Sequence, residues 1–427
     1  MAKIERPVRN KYSTDELMEI VDLFRVSPPG QAKIQKILDA EKTPPRADPL
    51  FRYYTDASKV EKLEQEFARK MGTKYALAVN SGTSALIAAL VAAGIGPGDE
   101  VIVPGYTFFA SAAAIVVAKA VPVITEIDES LGLDPQAVEK NITDRTKGMI
   151  VVHMVGHPAK IDVLAEIARK HNLILIEDVA QACGGTYKGK YLGTFGHFGC
   201  TSLDAWKVIG VGEGGMITTD DEDLHMRAQS YHDTAACWRP DRYAKERKAG
   251  ELFCGENYRM SELSAAVGLA QLRKLDAVNE STRKIYRRLR KEITLPKCAR
   301  WIEPADPEGV CGYQLGVLFD TIDHARQAIG AKIGLGGLAG GGVQGARDWH
   351  VYWYWEHILE QKSPTKEGCP FRCPLVKQLP KYSVGMCPRT KDIMLRTAFF
   401  GVQPTDTTKW ASHAAKQVTQ GLAKLFK

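Results

Sequence analysis

The chain has 427 residues, a formal net charge of +7, and 44% hydrophobic against 25% charged residues. That length exceeds one simple core and predicts a large domain with a smaller one, and the composition excludes a disordered or fibrous chain. The charge is mild for the length, and nine cysteines, an odd number without framework spacing, argue against a disulfide scaffold and for a reducing compartment.

Residues 1–50 are polar and proline-dotted (Pro28-Pro29, Pro44-Pro45), with one helix predicted near Thr14–Phe24. They read as an extension that packs on the smaller domain or on a dimer partner. The opening Met-Ala-Lys-Ile-Glu-Arg has no apolar core for a signal peptide, and no run approaches membrane-spanning length, so a soluble cytoplasmic chain is expected.

Regular structure begins at Val60, where Val60, Leu63, Phe67 and Met71 mark one helix face stopped by Gly72. Short apolar strand, loop and helix then alternate. Strands are predicted at Tyr75–Val79, Glu100–Val103, Val121–Ile124, Met149–Met154 and Leu173–Ile176, and helices at segments such as Ser84–Ala93 and Ile161–Lys170. Alternation of this kind predicts an α/β fold with a mostly parallel sheet covered on both faces. Ligands in such sheets gather outside the carboxyl ends of the strands.

A long helical segment from Ser261 to about Ile293 leads into a tail rich in Trp, Pro and Gly, read as a smaller α+β domain. The expected division is 51–282 for the large domain and 283–427 for the small one. Within the helix, the basic run Arg283–Lys291 carries apolar residues at helical spacing, which makes it an exposed helix face and not a nucleic-acid tail. Gly334–Gly345 reads as a flexible loop. Cys369, Cys373 and Cys387 match no zinc spacing, so no metal is expected.

The chemistry concentrates at strand ends. Ser81-Gly82-Thr83-Ser84 opens an alanine-rich helix, where unpaired N–H groups and small residues suit a phosphate; Ser81 is equally suited to be a plain N-cap. Phe108 lies just past a strand end, either as core or as a ring that stacks on a ligand. Asp178 ends the apolar strand Leu173-Ile-Leu-Ile-Glu177, where a carboxylate either pairs with a cationic ring nitrogen or only caps a turn. Ala180 is small enough to lie under such a ring, and Gln181 has the reach to hydrogen-bond a cofactor hydroxyl or to orient Asp178. Ser202 adds a hydroxyl, and Lys207 stands just before the turn Gly212-Glu213-Gly214-Gly215. A lysine, a phosphate-binding helix start and a buried carboxylate are the three fixed points that hold pyridoxal 5'-phosphate.

Five segments then carry a family resemblance: Asn80-Ser-Gly-Thr-Ser-Ala-Leu86, Gly98-Asp-Glu-Val-Ile-Val-Pro104, Ile176-Glu-Asp-Val-Ala-Gln-Ala182, Ser202–Lys207 with its Gly-Glu-Gly-Gly, and Asn257-Tyr-Arg-Met-Ser-Glu262. Together they resemble the sugar aminotransferases of the DegT/StrS type, within the fold-type-I pyridoxal phosphate enzymes, from about Phe51 to Leu275. The resemblance implies that Lys207 forms the Schiff base, that Asp178 pairs with the pyridine nitrogen and that Phe108 stacks on the ring. It implies that Gly82, Thr83 and Ser202 hold phosphate, and that Asn257 crosses to the neighbouring subunit's phosphate, so that a homodimer with shared sites is expected.

Leu203 and Trp206 depart from the usual family pattern. The segment Asp348-Trp-His-Val-Tyr-Trp-Tyr-Trp-Glu-His357 is similar to the branch that makes 8-amino-3,8-dideoxyoctulosonate, while scyllo-inosose aminotransferases share much of the framework. That cluster is either the sugar end of a pocket or small-domain core. The expected reaction moves an amino group from L-glutamate or L-glutamine to the carbonyl of a sugar such as an 8-oxo-3-deoxyoctulosonate, in amino-sugar or lipopolysaccharide biosynthesis. The alternatives are cyclitol or nucleotide keto-sugar amination, a sugar dehydratase (against which Lys207 argues) and a non-catalytic regulator. Arg239, Arg259 and Arg347 are the candidates for the donor carboxylate.

Overall fold

The computed structural model describes residues 14–41, 58–236, 245–338, 347–376 and 378–427. Met1–Ser58 and Lys59–Lys427 form two separate compact units. In the first, helices span Thr14–Leu23 and Pro28–Ala40. The proline pair at 28–29 starts a helix, because a proline in the first turn gives up only an N–H that has no partner there. Gln31 ties the two helices, donating to Asp22 Oδ1 at 2.9 Å and to the Val26 carbonyl at 2.8 Å.

The second unit opens with helix Lys59–Met71, which buries Val60, Leu63, Phe67 and Met71. Its first N–H groups are capped from a distance: the Glu262 carboxylate accepts from Lys59 at 2.5 Å and Val60 at 3.2 Å. The strands then follow as β1 (Tyr75–Val79), β2 (Glu100–Pro104), β3 (Val121–Thr125), β4 (Thr146–Val152), β5 (Ile174–Asp178), a small hairpin of β6 (Thr186–Tyr187) and β7 (Lys190–Tyr191), β8 (Phe198–Ser202) and β9 (Gly215–Thr219). Seven of them make one sheet in the order β1-β9-β8-β5-β4-β2-β3. All neighbours are parallel except β9, which runs antiparallel to both β1 and β8.

Alternation along the strands fills both faces. Val101 and Val103, Ile150 and Val152, and Ile176 point into a core shared with helices Gly82–Ala92 and Ala110–Val117. Ile102, Met149, Val151 and Leu175 point the other way, against helix Ile161–Lys170. This is an α/β architecture of the fold-type-I kind, with a mixed, mostly parallel central sheet. β8 and β9 carry no predicted strand, because Gly199, Thr201, Thr218 and Thr219 dilute the apolar signal although both strands are fully buried.

The long helix predicted from Ser261 is two helices, Glu262–Leu272 and Leu275–Glu292, broken at Arg273-Lys274. The second buries Ile285, Tyr286 and Leu289 beside an antiparallel sheet of β10 (Ala299–Trp301), β11 (Gln314–Phe319) and β12 (Thr397–Gly401). Helix Thr408–Leu425 closes that third core with Val418 and Leu422. The predicted loop Gly334–Gly345 is ordered at its start: Gly336 and Phe399 exchange backbone hydrogen bonds at 2.8 and 2.7 Å, and residues 339–345 lie outside the described residues. Among the described residues no helix is long and apolar enough to cross a membrane.

Candidate active site

The carboxyl end of β5 delivers two acids with different fates. Glu177 faces into the protein, fully buried, and accepts from the N–H groups of Gly193, Phe195 and Gly196 at 2.8, 2.6 and 2.8 Å and from His153 Nε2 at 3.1 Å. It is a loop organiser. Asp178, one residue on, faces the opposite side, where Ser111 Oγ donates to Oδ2 at 2.8 Å and the Ala180 N–H to Oδ1 at 3.0 Å. Burial pushes the Asp178 carboxyl up, while those two hydrogen bonds and the charges of Lys207 and His153 oppose the rise.

Next to it, the start of helix Gly82–Ala92 is built for close approach. Ser81 is its N-cap, accepting the Ser84 N–H at 3.0 Å. The first-turn N–H groups of Gly82 and Thr83 have no acceptor within a helix. A Cβ on Gly82 would lie 2.7 Å from Ser202 Cβ, and one on Gly215 would run into the Ser81 carbonyl. Only glycines let the helix start, the end of β8 and the start of β9 close on one another here.

Lys207 lies in the loop from β8 to β9, its N–H bound to the Asp204 carbonyl at 3.0 Å. Phe108 stands half exposed on the loop after β2, its ring centroid 5.4 Å from that of His350. His350 is steered by the buried Asp348, whose Oδ1 lies 2.9 Å from both the backbone N and Nδ1 of His350.

Ser81, Gly82, Thr83, Phe108, Asp178, Ala180, Gln181, Ser202 and Lys207, nine residues proposed from the sequence, wall one cavity of about 490 Å³. Thr107, Ser111, Glu213 and His350 join them. A second cavity of about 710 Å³ shares Ala180, Gln181, Trp206, Lys207 and His350 with the first, and extends past Tyr106, Asn279, Tyr313, Gln314 and Gln403. Trp206 stands at the junction, almost wholly exposed.

The remaining candidates have varied surroundings. Asn257 is exposed and outside both cavities; its carbonyl takes the Asn80 amide at 3.5 Å. Gln181 makes no hydrogen bond to Asp178; Ser111 takes that orienting role, and the Gln181 amide oxygen accepts from the Val155 N–H and the Tyr313 hydroxyl. Arg259 pairs with buried Asp233 at 2.5 Å and Arg347 with Glu356 at 3.0 Å, and neither lines either of these two cavities, while Arg239 lies outside the described residues. The tryptophan-rich segment divides: Tyr352 and Trp355 are fully buried core and His350 lines the site. Ser111 carried no signal, being one hydroxyl in the run Ala110-Ser-Ala-Ala-Ala114; only its helical spacing from Thr107, whose hydroxyl it meets at 2.7 Å, links it to the site.

The sequence profile of the DegT/DnrJ/EryC1/StrS aminotransferase family matches residues 52–319. The chain belongs to that family. Among DegT/StrS relatives, it is 43% identical to a GDP-perosamine synthase of Caulobacter vibrioides over 51% of this chain and 57% of that one. It is 42% identical to an L-glutamine:2-deoxy-scyllo-inosose aminotransferase of Streptomyces kanamyceticus, over 52% of this chain and 53% of that one. The chain thus spans little more than half the length of these curated relatives. Among solved structures, DesV of S. venezuelae superposes with a TM-score of 0.68 at 28% identity, covering 95% of each chain. Two further solved structures of the same fold, each 19% identical, hold pyridoxal phosphate in hydrated form or its amine form. The residues here fit that group: a cradle that one Cβ would fill, a helix start with free donors, and a buried carboxylate in need of a cation.

Proposed function

We propose that this chain is a pyridoxal-phosphate-dependent aminotransferase that passes an amino group from glutamate or glutamine to the carbonyl of a sugar or cyclitol. The observation that carries the reading is the joint presence of Lys207, Asp178 and the Gly82 cradle around one cavity, with a larger and more polar cavity that shares Lys207 and Gln181 with it. The bound cofactor supplies an electron sink for carbanion chemistry at the amino-bearing carbon. Gly82, Thr83 and Ser202 hold its phosphate, and Phe108 covers its ring. Asp178 keeps the ring nitrogen protonated, since an opposite charge beside a buried carboxylate offsets the cost of burying it.

Lys207 is the one amine among the described residues lining the two cavities, which supports its binding the cofactor's aldehyde carbon and, once freed, carrying a proton to and from the substrate carbon. The larger cavity, with Tyr106, Asn279, Gln314, Gln403 and His350, offers hydroxyl, amide and imidazole partners to a hydroxylated acceptor. The names of the relatives, perosamine synthase and inosose aminotransferase, support a sugar or cyclitol acceptor. Within that class the Trp-His segment favours an oxidised octulosonate. We further propose a cytoplasmic homodimer in which Asn257 serves the neighbouring subunit's site.

The test is direct. Purified protein with pyridoxal phosphate should be yellow and reducible by borohydride, and labelled glutamate should pass its nitrogen to a keto-sugar. Lys207→Ala should lose the reducible adduct and lower the rate by at least about 10²–10⁴-fold. An adduct that persists in that variant would refute the assignment.

A further inference from the structure

Gln181 lines both cavities, and its orientation is fixed by a donor that cannot reverse. The Val155 backbone N–H approaches the Gln181 side-chain oxygen at 3.0 Å, and the Tyr313 hydroxyl approaches the same oxygen at 3.2 Å. A backbone N–H only donates, so the atom facing it must be the carbonyl oxygen, whichever way the amide is first drawn. Tyr313 must then donate as well. The Gln181 Nε2 finds no acceptor among the described residues, which leaves the cavity with N–H donors alone.

The wall behind this amide is strained. Val155 sits at φ 52° and ψ 25°, left-handed backbone that a β-branched residue rarely adopts. Gly156 follows at φ 74°, and a Cβ there would lie 2.7 Å from the Tyr313 ring. The two left-handed residues together turn the Val155 N–H toward Gln181 and clear the space in which the half-buried Tyr313 ring lies. Strain held this way marks a place where geometry is imposed for function.

We propose that Tyr313 and the Val155–Gly156 turn are positioning elements that lock the Gln181 carboxamide as a donor-only group, matched to an oxygen that accepts. Given the functional reading above, on which this rests, that oxygen is the ring hydroxyl of the cofactor in its ionised form. A donor at that oxygen stabilises the charged form, so losing the donor raises the pH at which the proton leaves.

The experiment titrates the visible absorption band of the protein reconstituted with pyridoxal phosphate. Asp178, Asp204, Lys207, Glu213 and His350 face the smaller cavity, and Tyr106, Tyr313 and Asp348 the larger one; only Tyr313 among them is altered. Gln181→Glu keeps an acceptor toward Val155 but replaces the donors by a second oxygen, and should raise the midpoint by about one pH unit or more, the size of a lost charge-assisted hydrogen bond. Tyr313→Phe removes only the hydroxyl and should raise it by less, because Val155 still holds the oxygen. A purely structural Tyr313 would lower stability and leave the midpoint where it is, and that result overturns the proposal, as does a wild-type midpoint in Gln181→Glu. If Tyr313→Phe does not fold, Val155→Gly, which frees the turn but keeps its N–H, takes its place: a raised midpoint supports the lock and an unchanged one overturns it. Wild-type protein that develops no band at all overturns the functional reading itself.

Discussion

Asp178 shows how one side chain trades stability against binding. Burial raises its folded-state pKa above the unfolded value of about 3.9. The folded protein therefore holds that proton more tightly, and the group's stabilising contribution is present below the unfolded value and lost as pH rises through the raised one. Once ionised and without cofactor, the carboxylate is a buried charge and a cost. Asp178→Asn should accordingly make the cofactor-free protein as stable as wild type or more so at pH 7, with the advantage shrinking toward acid. The substituted amide can still satisfy the site: its oxygen takes the Ala180 N–H, and its NH₂ donates to Ser111, whose hydroxyl can reverse. The same variant should retain pyridoxal phosphate poorly. Thermal midpoints at neutral and acid pH, paired with cofactor retention on desalting, check both halves, and a variant less stable than wild type at pH 7 would sink the argument. Asp178 was legible in the sequence because an apolar strand ends on it. Ser111 was not, because a hydroxyl in a helix carries no pattern until the sheet brings it opposite an acid.

At the scale of elements, the phosphate cradle depends on how closely three chain segments approach one another. The start of helix Gly82–Ala92 meets the end of β8 at Ser202 and the start of β9 at Gly215, at separations that exclude any Cβ. Gly82→Ala must push the helix start from Ser202, with a stability loss of about 1–3 kcal/mol for overpacking. It should also weaken cofactor affinity, since the N–H groups that would hold phosphate move with the helix. Denaturant midpoints with and without cofactor separate the two effects: the deficit should be larger in the presence of pyridoxal phosphate, and an equal deficit would mean that the cradle holds no phosphate. Helix Gly82–Ala92 and the five predicted strands were readable as short, nearly continuous apolar segments, the helix opened by Ser81-Gly82-Thr83. β8 and β9 were hidden because their glycines and threonines, which allow close packing, interrupt any such apolar run. The break at Arg273-Lys274 was hidden for the opposite reason: apolar spacing continues across it through Leu269, Leu272, Leu275 and Val278, and only a turn hydrogen bond from the Lys274 N–H to the Gln271 carbonyl marks it.

Across the whole molecule, the placement of Asn257 raises the question of how many chains make one site. It lies directly beside Asn80, the residue that leads into the cradle, yet its side chain is exposed and faces neither cavity. A residue of the family signature in that position does nothing for its own chain's cavity, and a second copy could bring it to the phosphate end of a neighbouring site. If so, Lys207 and Asn257 belong to different chains in each active site of a two-fold dimer. Two inactive variants, Lys207→Ala and Asn257→Asp, should then complement one another when unfolded together and refolded. In a mixed dimer, one site pairs the intact lysine of one chain with the intact asparagine of the other, and its twin carries both defects. Random pairing makes half the dimers mixed with one working site each, so activity should return to about a quarter of the wild-type value. Were Asn257 to act within its own chain, every site in the mixture would carry one defect or the other, and the refolded sample would do no better than the sum of its parts.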